Sequence, residues 1–322
     1  MRLQQFSGRR YPSASRFSRA AYLLRSVRLC ACLLLAIAGS VASVSGQTFE
    51  LVPDGRGLSD TPADILTPRT SFLAVTFGHD GSTYLLDDER QRVIQVDEEG
   101  RYRGQAGGFG FGSDAFRQAT DLATGAFELW ISDMQGGRIV RFDPWLAPLD
   151  PFSGSPEDDV ELQRPVSTAR LPNGDVLVLE QDLLEILRLD SEGRMMERIA
   201  RRGDVPGGLV RPTRIEASSD GRIAVVDPGR REIVLLDRFG TFTGRRVWPF
   251  EDGGPTGAAW SDSLLWVCGE GGVAVWGERE QPLQTWPSGR FDGAVRDLDR
   301  QGNRLVTVGG SRVRWFLVRR AK

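Results

Sequence analysis

Three observations predict an all-β fold, a six-bladed β-propeller with four antiparallel strands in each blade. A unit of 40–47 residues recurs six times, four short strand signals fit the blade pattern, and an Asn-Gly or Asp-Gly turn joins the first two strands at Asp80-Gly81, Asn173-Gly174 and Asp220-Gly221. A repeat of this length carrying four strands is the pattern of a propeller blade, which cannot bury both of its faces alone and so stacks radially on its neighbours.

The unit from Leu162 to Gly203 shows the elements most clearly. Its strands are predicted over Pro165 to Leu171, Val176 to Glu180, Glu185 to Asp190 and Met195 to Ala200, and the turn between the first two is Asn173-Gly174. Asn-Gly and Asp-Gly close tight hairpins because both residues tolerate positive φ. The next unit, Leu209 to Val247, aligns at a constant offset of 47: Arg164-Pro165 with Arg211-Pro212, Asn173-Gly174 with Asp220-Gly221, Glu180 with Asp227, Asp190 with Asp237. The pattern also runs backwards, since Asp97, Asp143, Asp190 and Asp237 end four equivalent strands. Forwards it degenerates but persists in LLWVCGEGGVAVWGE (264–278) and RLVTVGGSRVRWFLV (304–318), so units are placed near Ser71, Phe116, Leu162, Leu209, Gly254 and Gly293. The last unit supplies three strands, and Thr48 to Val52 is expected to supply the fourth, joining the chain ends in one blade and removing an open sheet edge.

Residues 1–46 read as a secretory signal peptide. Seven arginines and no acid fall in residues 1–28, an apolar run follows from Leu29 to Ala38, and small residues come next. The alternative is an uncleaved anchor, against which the apolar run is shorter than the ~20 residues that a span needs. A lipidated Cys32 is excluded because the apolar run follows that cysteine. The domain is then 47–322, with 34 basic against 43 acidic residues and a net charge of −9. Such a chain repels nucleic acid and anionic lipid as a whole. Cys268 is the one cysteine outside the leader, so no internal disulfide is available to the domain. The expected setting is the periplasm or the outside of the cell. The expected state is a monomer without a stable membrane span once the leader is removed.

The motif order Pro212, Asp220-Gly221, Val225-Val226-Asp227, Glu232 to Asp237 and Gly240 resembles the NHL-repeat β-propellers of bacteria, as does Asp133 with Arg138 to Asp143. The resemblance covers 71–247 well and 254–322 poorly. It implies architecture and leaves function open.

Chemistry is weighed site by site. Gly107 to Gly112 lacks the following helix that a phosphate loop needs. His79 is the only histidine and is placed beside the Asp80-Gly81 turn; with Cys268 it cannot build a Cys/His zinc centre. The amidating lyases among NHL-like propellers use a histidine-held metal, so that activity is excluded. Calcium-dependent lactonases also use six blades, with oxygen ligands converging on the axis. Here the two asparagines, Asn173 and Asn303, fall in turns, and Asp121 and Asp297 are the axial candidates. Tyr84 and Tyr102 are the only tyrosines after the leader, and Asp-box turns are missing apart from DGSTY at 80–84, which leaves little for a sialidase. Neighbouring pairs such as Asp87-Asp88 and Asp158-Asp159 face opposite sides of a strand and make poor acid/base partners. All eight tryptophans lie after the leader and read as core between blades rather than as a ligand platform.

The remaining feature is Arg117, Arg164 and Arg211 at the start of successive innermost strands, with Arg214 close by. Together they are expected at one mouth of the channel, beside the loops carrying Asp87, Asp133, Glu180 and Asp227. Two readings follow, an anion or acidic-peptide site and a ring of Arg–carboxylate pairs that holds the blades in register. The chain is accordingly read as a non-catalytic binding or scaffolding module for a protein, peptide or glycan of the cell envelope, with no cofactor. The alternative is a metal-dependent, lactonase-like hydrolase or lyase with calcium in the channel.

Overall fold

The computed structural model describes residues 47–125, 127–154, 161–199 and 205–321. The predicted leader and the Asp158-Asp159 pair lie outside the described residues. Six four-stranded antiparallel sheets make a closed β-propeller, and among the described residues there is no α-helix, only short 3-10 turns at Met134–Gly136 and Ser288–Phe291.

The chain begins with β1 (Phe49–Pro53), which belongs to the last blade. Blade one is β2 (Phe72–Phe77), β3 (Thr83–Asp87), β4 (Arg92–Val96) and β5 (Tyr102–Gly107). Blade two is β6 (Ala119–Thr124), β7 (Leu129–Asp133), β8 (Arg138–Phe142) and β9 (Pro148–Phe152). Blade three is β10 (Pro165–Arg170), β11 (Val176–Glu180), β12 (Glu185–Leu189) and β13 (Met195–Ile199). Blade four is β14 (Arg214–Ala217), β15 (Ile223–Asp227), β16 (Glu232–Leu236) and β17 (Phe242–Val247). Blade five is β18 (Pro255–Ser261), β19 (Leu264–Gly269), β20 (Gly272–Trp276) and β21 (Gln284–Pro287). Blade six is β22 (Asp297–Gln301), β23 (Arg304–Gly309) and β24 (Arg312–Arg320), completed by β1 in register from Phe49↔Arg320 to Pro53↔Phe316. Closure through the N-terminal strand is as expected, and the degenerate tail past Gly254 forms two full sheets.

The second strands of blades one to four are buried along their whole length, as strands covered on both faces must be. Their apolar side chains form cores between neighbouring blades. Between blades five and six, Trp266 stacks on Trp286 at 5.5 Å between centroids, and Phe49 from β1 meets Trp266 edge-on at 5.7 Å. Tryptophan is core here, as expected for Trp130, Trp248, Trp266, Trp276, Trp286 and Trp315, all buried. Trp260 is half-buried, and Trp145 departs from the pattern at 82% exposed.

Each outer hairpin in blades one to four turns on the aspartate that the repeat predicts. One Oδ1 accepts two backbone N–H bonds: Glu99 and Arg101 on Asp97, Trp145 and Ala147 on Asp143, Glu192 and Arg194 on Asp190, Phe239 and Thr241 on Asp237. The next turn position is left-handed. Glycine fills it in three blades, as Gly100, Gly193 and Gly240, whereas blade two places Leu146 there at φ 65°. A side chain in that region costs about 1–2 kcal/mol, offset by burial of Leu146 in the core between blades one and two.

Candidate functional site

The innermost strands build the axis. In four of the six blades the innermost strand carries a bulge after its first residue. Beyond it, Ala74, Asp121, Ser167, Arg214, Gly257 and Asp297 take the same register position, each opposite the penultimate residue of its second strand. The intervening residues Leu122, Ile215, Ala258 and Leu298 point into the inter-blade cores, because strand side chains alternate.

Within this ring Arg214 from blade four lies between carboxylates of blades two and six. Its Nη1 is 2.8 Å from Asp121 Oδ1 and 2.9 Å from Asp297 Oδ2. Asp121 also accepts from the Ser167 hydroxyl and, at 2.8 Å, from the Leu122 N–H. Ser167 Oγ accepts from the Ile215 N–H at 3.0 Å, and Asp297 Oδ2 accepts from the Val75 N–H at 2.8 Å. Ala74 and Gly257 leave room for these groups, and a Cβ on Gly257 would fall 2.4 Å from Asp297 Oδ1. Burial raises the pKa of Asp121 and pushes Asp297 up to about 7 against the pull of Arg214, while the two carboxylates hold Arg214 above its ordinary value against burial.

Two residues further along, Thr76, Ala123, Ala169, Glu216, Ala259 and Asp299 form a second ring. The small side chains leave a cavity of about 180 Å³ at the mouth where the innermost strands end, the distal face. Glu216 and Asp299 line it with Arg170 and Trp260. Asp299 accepts from the Phe77 N–H at 2.7 Å and from Thr76 Oγ1 at 3.2 Å, and burial pushes it up to about 6. Burial, then the charge of Asp121, raises Glu216 well above the carboxylate range.

The expected arginine ring at the opposite, proximal mouth divides. Arg214 does not join the other three, since it is buried in the axial ring. Arg117 and Arg211 are exposed, Arg117 with its guanidinium 5.5 Å from the Phe111 ring centroid, and Arg164 is paired with Asp182 at 3.3 Å. The carboxylates beside them do mark the proximal loops, but they bind the arginines' backbone and not their side chains. Asp133 accepts from the N–H of Arg117 and Gln118, Glu180 from Gln163 and Arg164, Asp227 from Val210 and Arg211. All three carboxylates are fully buried.

A third feature was not expected. On the distal face a cleft of about 230 Å³ opens between blades one and two, walled by His79, Tyr84, Phe127, Pro144 and Trp145. A more polar cleft of about 520 Å³ continues from it and shares Asp80, Pro144 and Trp145. Hydrogen bonds fix the walls: Tyr84 OH donates to Pro144 O at 2.9 Å, Gln95 Nε2 to the same oxygen at 3.0 Å, and His79 Nε2 lies 2.8 Å from Gly125 O.

No family profile and no curated protein matches the chain. Among solved structures it is similar to a gluconolactonase from Xanthomonas campestris, at 18% identity and TM-score 0.62 over 86% of this chain and 99% of that one. It is similar to a streptogramin B lyase, at 12% identity and TM-score 0.56 over 86% and 89%. It is also similar to virginiamycin B lyase from Staphylococcus aureus, at 14% identity and TM-score 0.55 over 81% and 82%. At these identities the likeness is one of fold. The class defined by fold and comparison together is the six-bladed β-propeller.

The axial donor set does not fit a metal ion. The space between Asp121 and Asp297 is filled by the Arg214 guanidinium, and among the described residues no group of three or more His, Cys, Asp or Glu is arranged to hold one.

Proposed function

We propose that this chain is an exported, monomeric recognition propeller of the cell envelope, working without catalysis and without a metal, on a protein, peptide or glycan and not on nucleic acid. The observation that carries the reading is the Arg214 ion triple. A cation supplied by the protein itself occupies the place between the axial carboxylates, so the charge that a bound metal would bring is already present. Away from the axis, the distal cleft is open to solvent, and its aromatic walls suit contact with a ligand. The proximal arginines Arg117, Arg164 and Arg211 remain a proposed secondary anion surface.

Metal analysis tests the reading. Protein purified without chelator is expected to carry far less than one equivalent of calcium and to melt at the same temperature with and without EDTA. Stoichiometric calcium, lost in Asp121→Asn, overturns it.

A hydrolase or lyase in the channel is the second reading. It draws support from Glu216 and Asp299, two carboxyls of raised pKa on one cavity, and from the lyases and lactonase among similarly folded proteins. Turnover of a lactone or ester that is lost in Glu216→Gln supports that reading against the first.

A further inference from the structure

Trp145 is the feature least explained by folding. Six of the eight tryptophans are buried, yet this one is 82% exposed, and Phe127 across the cleft is 80% exposed. Two large aromatics exposed on one cleft make an apolar patch of the kind that marks a ligand groove. The Trp145 turn is also fixed. Its N–H is held by Asp143 at 2.9 Å, its neighbour Leu146 is anchored in the core despite a left-handed backbone, and Pro144 O is held by two side chains of blade one. An indole set on a rigid turn loses little freedom on binding.

Most of the charges nearby are already paired, while the Asp80 carboxylate accepts from the Ser82 N–H at 3.0 Å and from the Ser82 hydroxyl at 2.6 Å. Glu128 is bound to Arg141 at 2.7 Å, Asp97 to Arg101 at 2.9 Å and Glu99 to Arg101 at 2.9 Å, while Glu98 is bound to Arg304. A wall of matched carboxylates and guanidiniums has little net pull on an ion. It does offer fixed acceptors and donors side by side, beside flat apolar faces. That combination suits a neutral ligand with an apolar face and a hydroxyl-rich edge.

We propose that the continuous cleft between blades one and two is a binding site for a neutral oligosaccharide. One pyranose ring lays its C–H face on Trp145 and Phe127, and neighbouring sugars direct hydroxyls to Asp80 and to the paired charges of the polar cleft. The proposal rests on the reading of the chain as a binding module and adds the class of ligand and the place. The base reading speaks for a solvated aromatic surface only; the shared wall of the two clefts extends it to a ligand several units long.

The test uses the intact protein on an array of short neutral and anionic oligosaccharides and a lysine-rich peptide, with titration of the best neutral binder. Binding to a neutral oligosaccharide is expected, insensitive to salt and weakened roughly tenfold or more in Trp145→Ala and Phe127→Ala, with melting temperatures unchanged. Trp145→Phe restores part of the affinity, which a nonspecific role for bulk would not require. Tryptophan fluorescence shifts on binding in the parent and not in Trp145→Phe. A blank array, or binding only to the peptide or to anionic sugars in a salt-sensitive way, overturns the proposal. If the array is blank and the metal analysis also finds no calcium, the glycan assignment fails while the recognition reading stands. Stoichiometric calcium fails the recognition reading itself.

Discussion

The channel axis and the cleft between the first two blades both gather polar side chains, and they dispose of them differently. Around the axis the charges answer one another across the ring: Arg214 reaches blades two and six, and Ser167 links Asp121 to blade four. In the cleft Glu128 and Asp97 pair within their own blades and Glu98 with Arg304 of blade six, and the aromatic faces are left turned to solvent. Polar groups that close on one another hold a fold together, while a wall whose polar groups are matched but still accessible can receive a ligand. The contrast separates stability from binding in a way that substitution can check.

The largest effect is expected at the axis. Arg214→Met leaves two buried carboxylates facing each other without a cation, and stability is expected to fall by about 3–5 kcal/mol, read as a loss of denaturant midpoint, with binding in the cleft unaltered in the surviving folded fraction. An unchanged midpoint would mean that the ion triple contributes nothing and would erase the contrast. Next comes the proximal face. Asp133→Ala strips the acceptor from the N–H groups of Arg117 and Gln118 and is expected to cost about 1–3 kcal/mol. Asp227→Ala, which frees Val210 and Arg211 in the same way, should match it. A smaller, graded effect belongs to pH. Asp297 and Asp299 have folded-state values raised to about 7 and about 6, above their unfolded values. The folded state therefore binds more protons between them, and stability contributed by these groups is present below about pH 4 and lost as pH rises toward 7. Melting temperature is expected to decline over that window, and Asp299→Asn should flatten the part near pH 6. The smallest change in stability is expected in the cleft, where Trp145→Ala should stay within about 0.5 kcal/mol of the parent.

Much of the fold could be read from the chain because the repeat carries its own punctuation. Asp97, Asp143, Asp190 and Asp237 recur where an Oδ1 must cap a hairpin, and Gly174 and Gly221 recur where φ must be positive. The N-terminal strand was legible as the missing fourth strand of a three-stranded last unit. The axial ring was half legible. Asp121 and Asp297 are identifiable as axial, but Arg214 is drawn by proximity toward Arg211 and the proximal mouth. The bulge resolves it: counting past the extra residue puts Arg214 at 47 residues from Ser167 and Ser167 at 46 from Asp121, the same spacings as the repeat. The alternation of strand side chains then separates Arg214 and Glu216 from the core residue Ile215 between them.

The cleft could not be read in advance. Asp143-Pro144-Trp145-Leu146 looks like one more hairpin turn, and nothing in its composition says that its tryptophan faces outward while six others are buried. Exposure there depends on how blade two sits against blade one, through Tyr84, Gln95 and His79, residues some 50–65 positions away in the sequence. The single departure that did mark the turn is Leu146, standing where the other three blades have glycine.

The pairing of β1 with β24 carries a consequence for synthesis. β1 finds its pairing strand only in β24, so the disc stays an open arc, with two bare edges, until almost the whole polypeptide is available. A product cut short before residue 312 therefore has nowhere to seat its first strand, and each unfinished copy offers those edges to the next as a template for clumping.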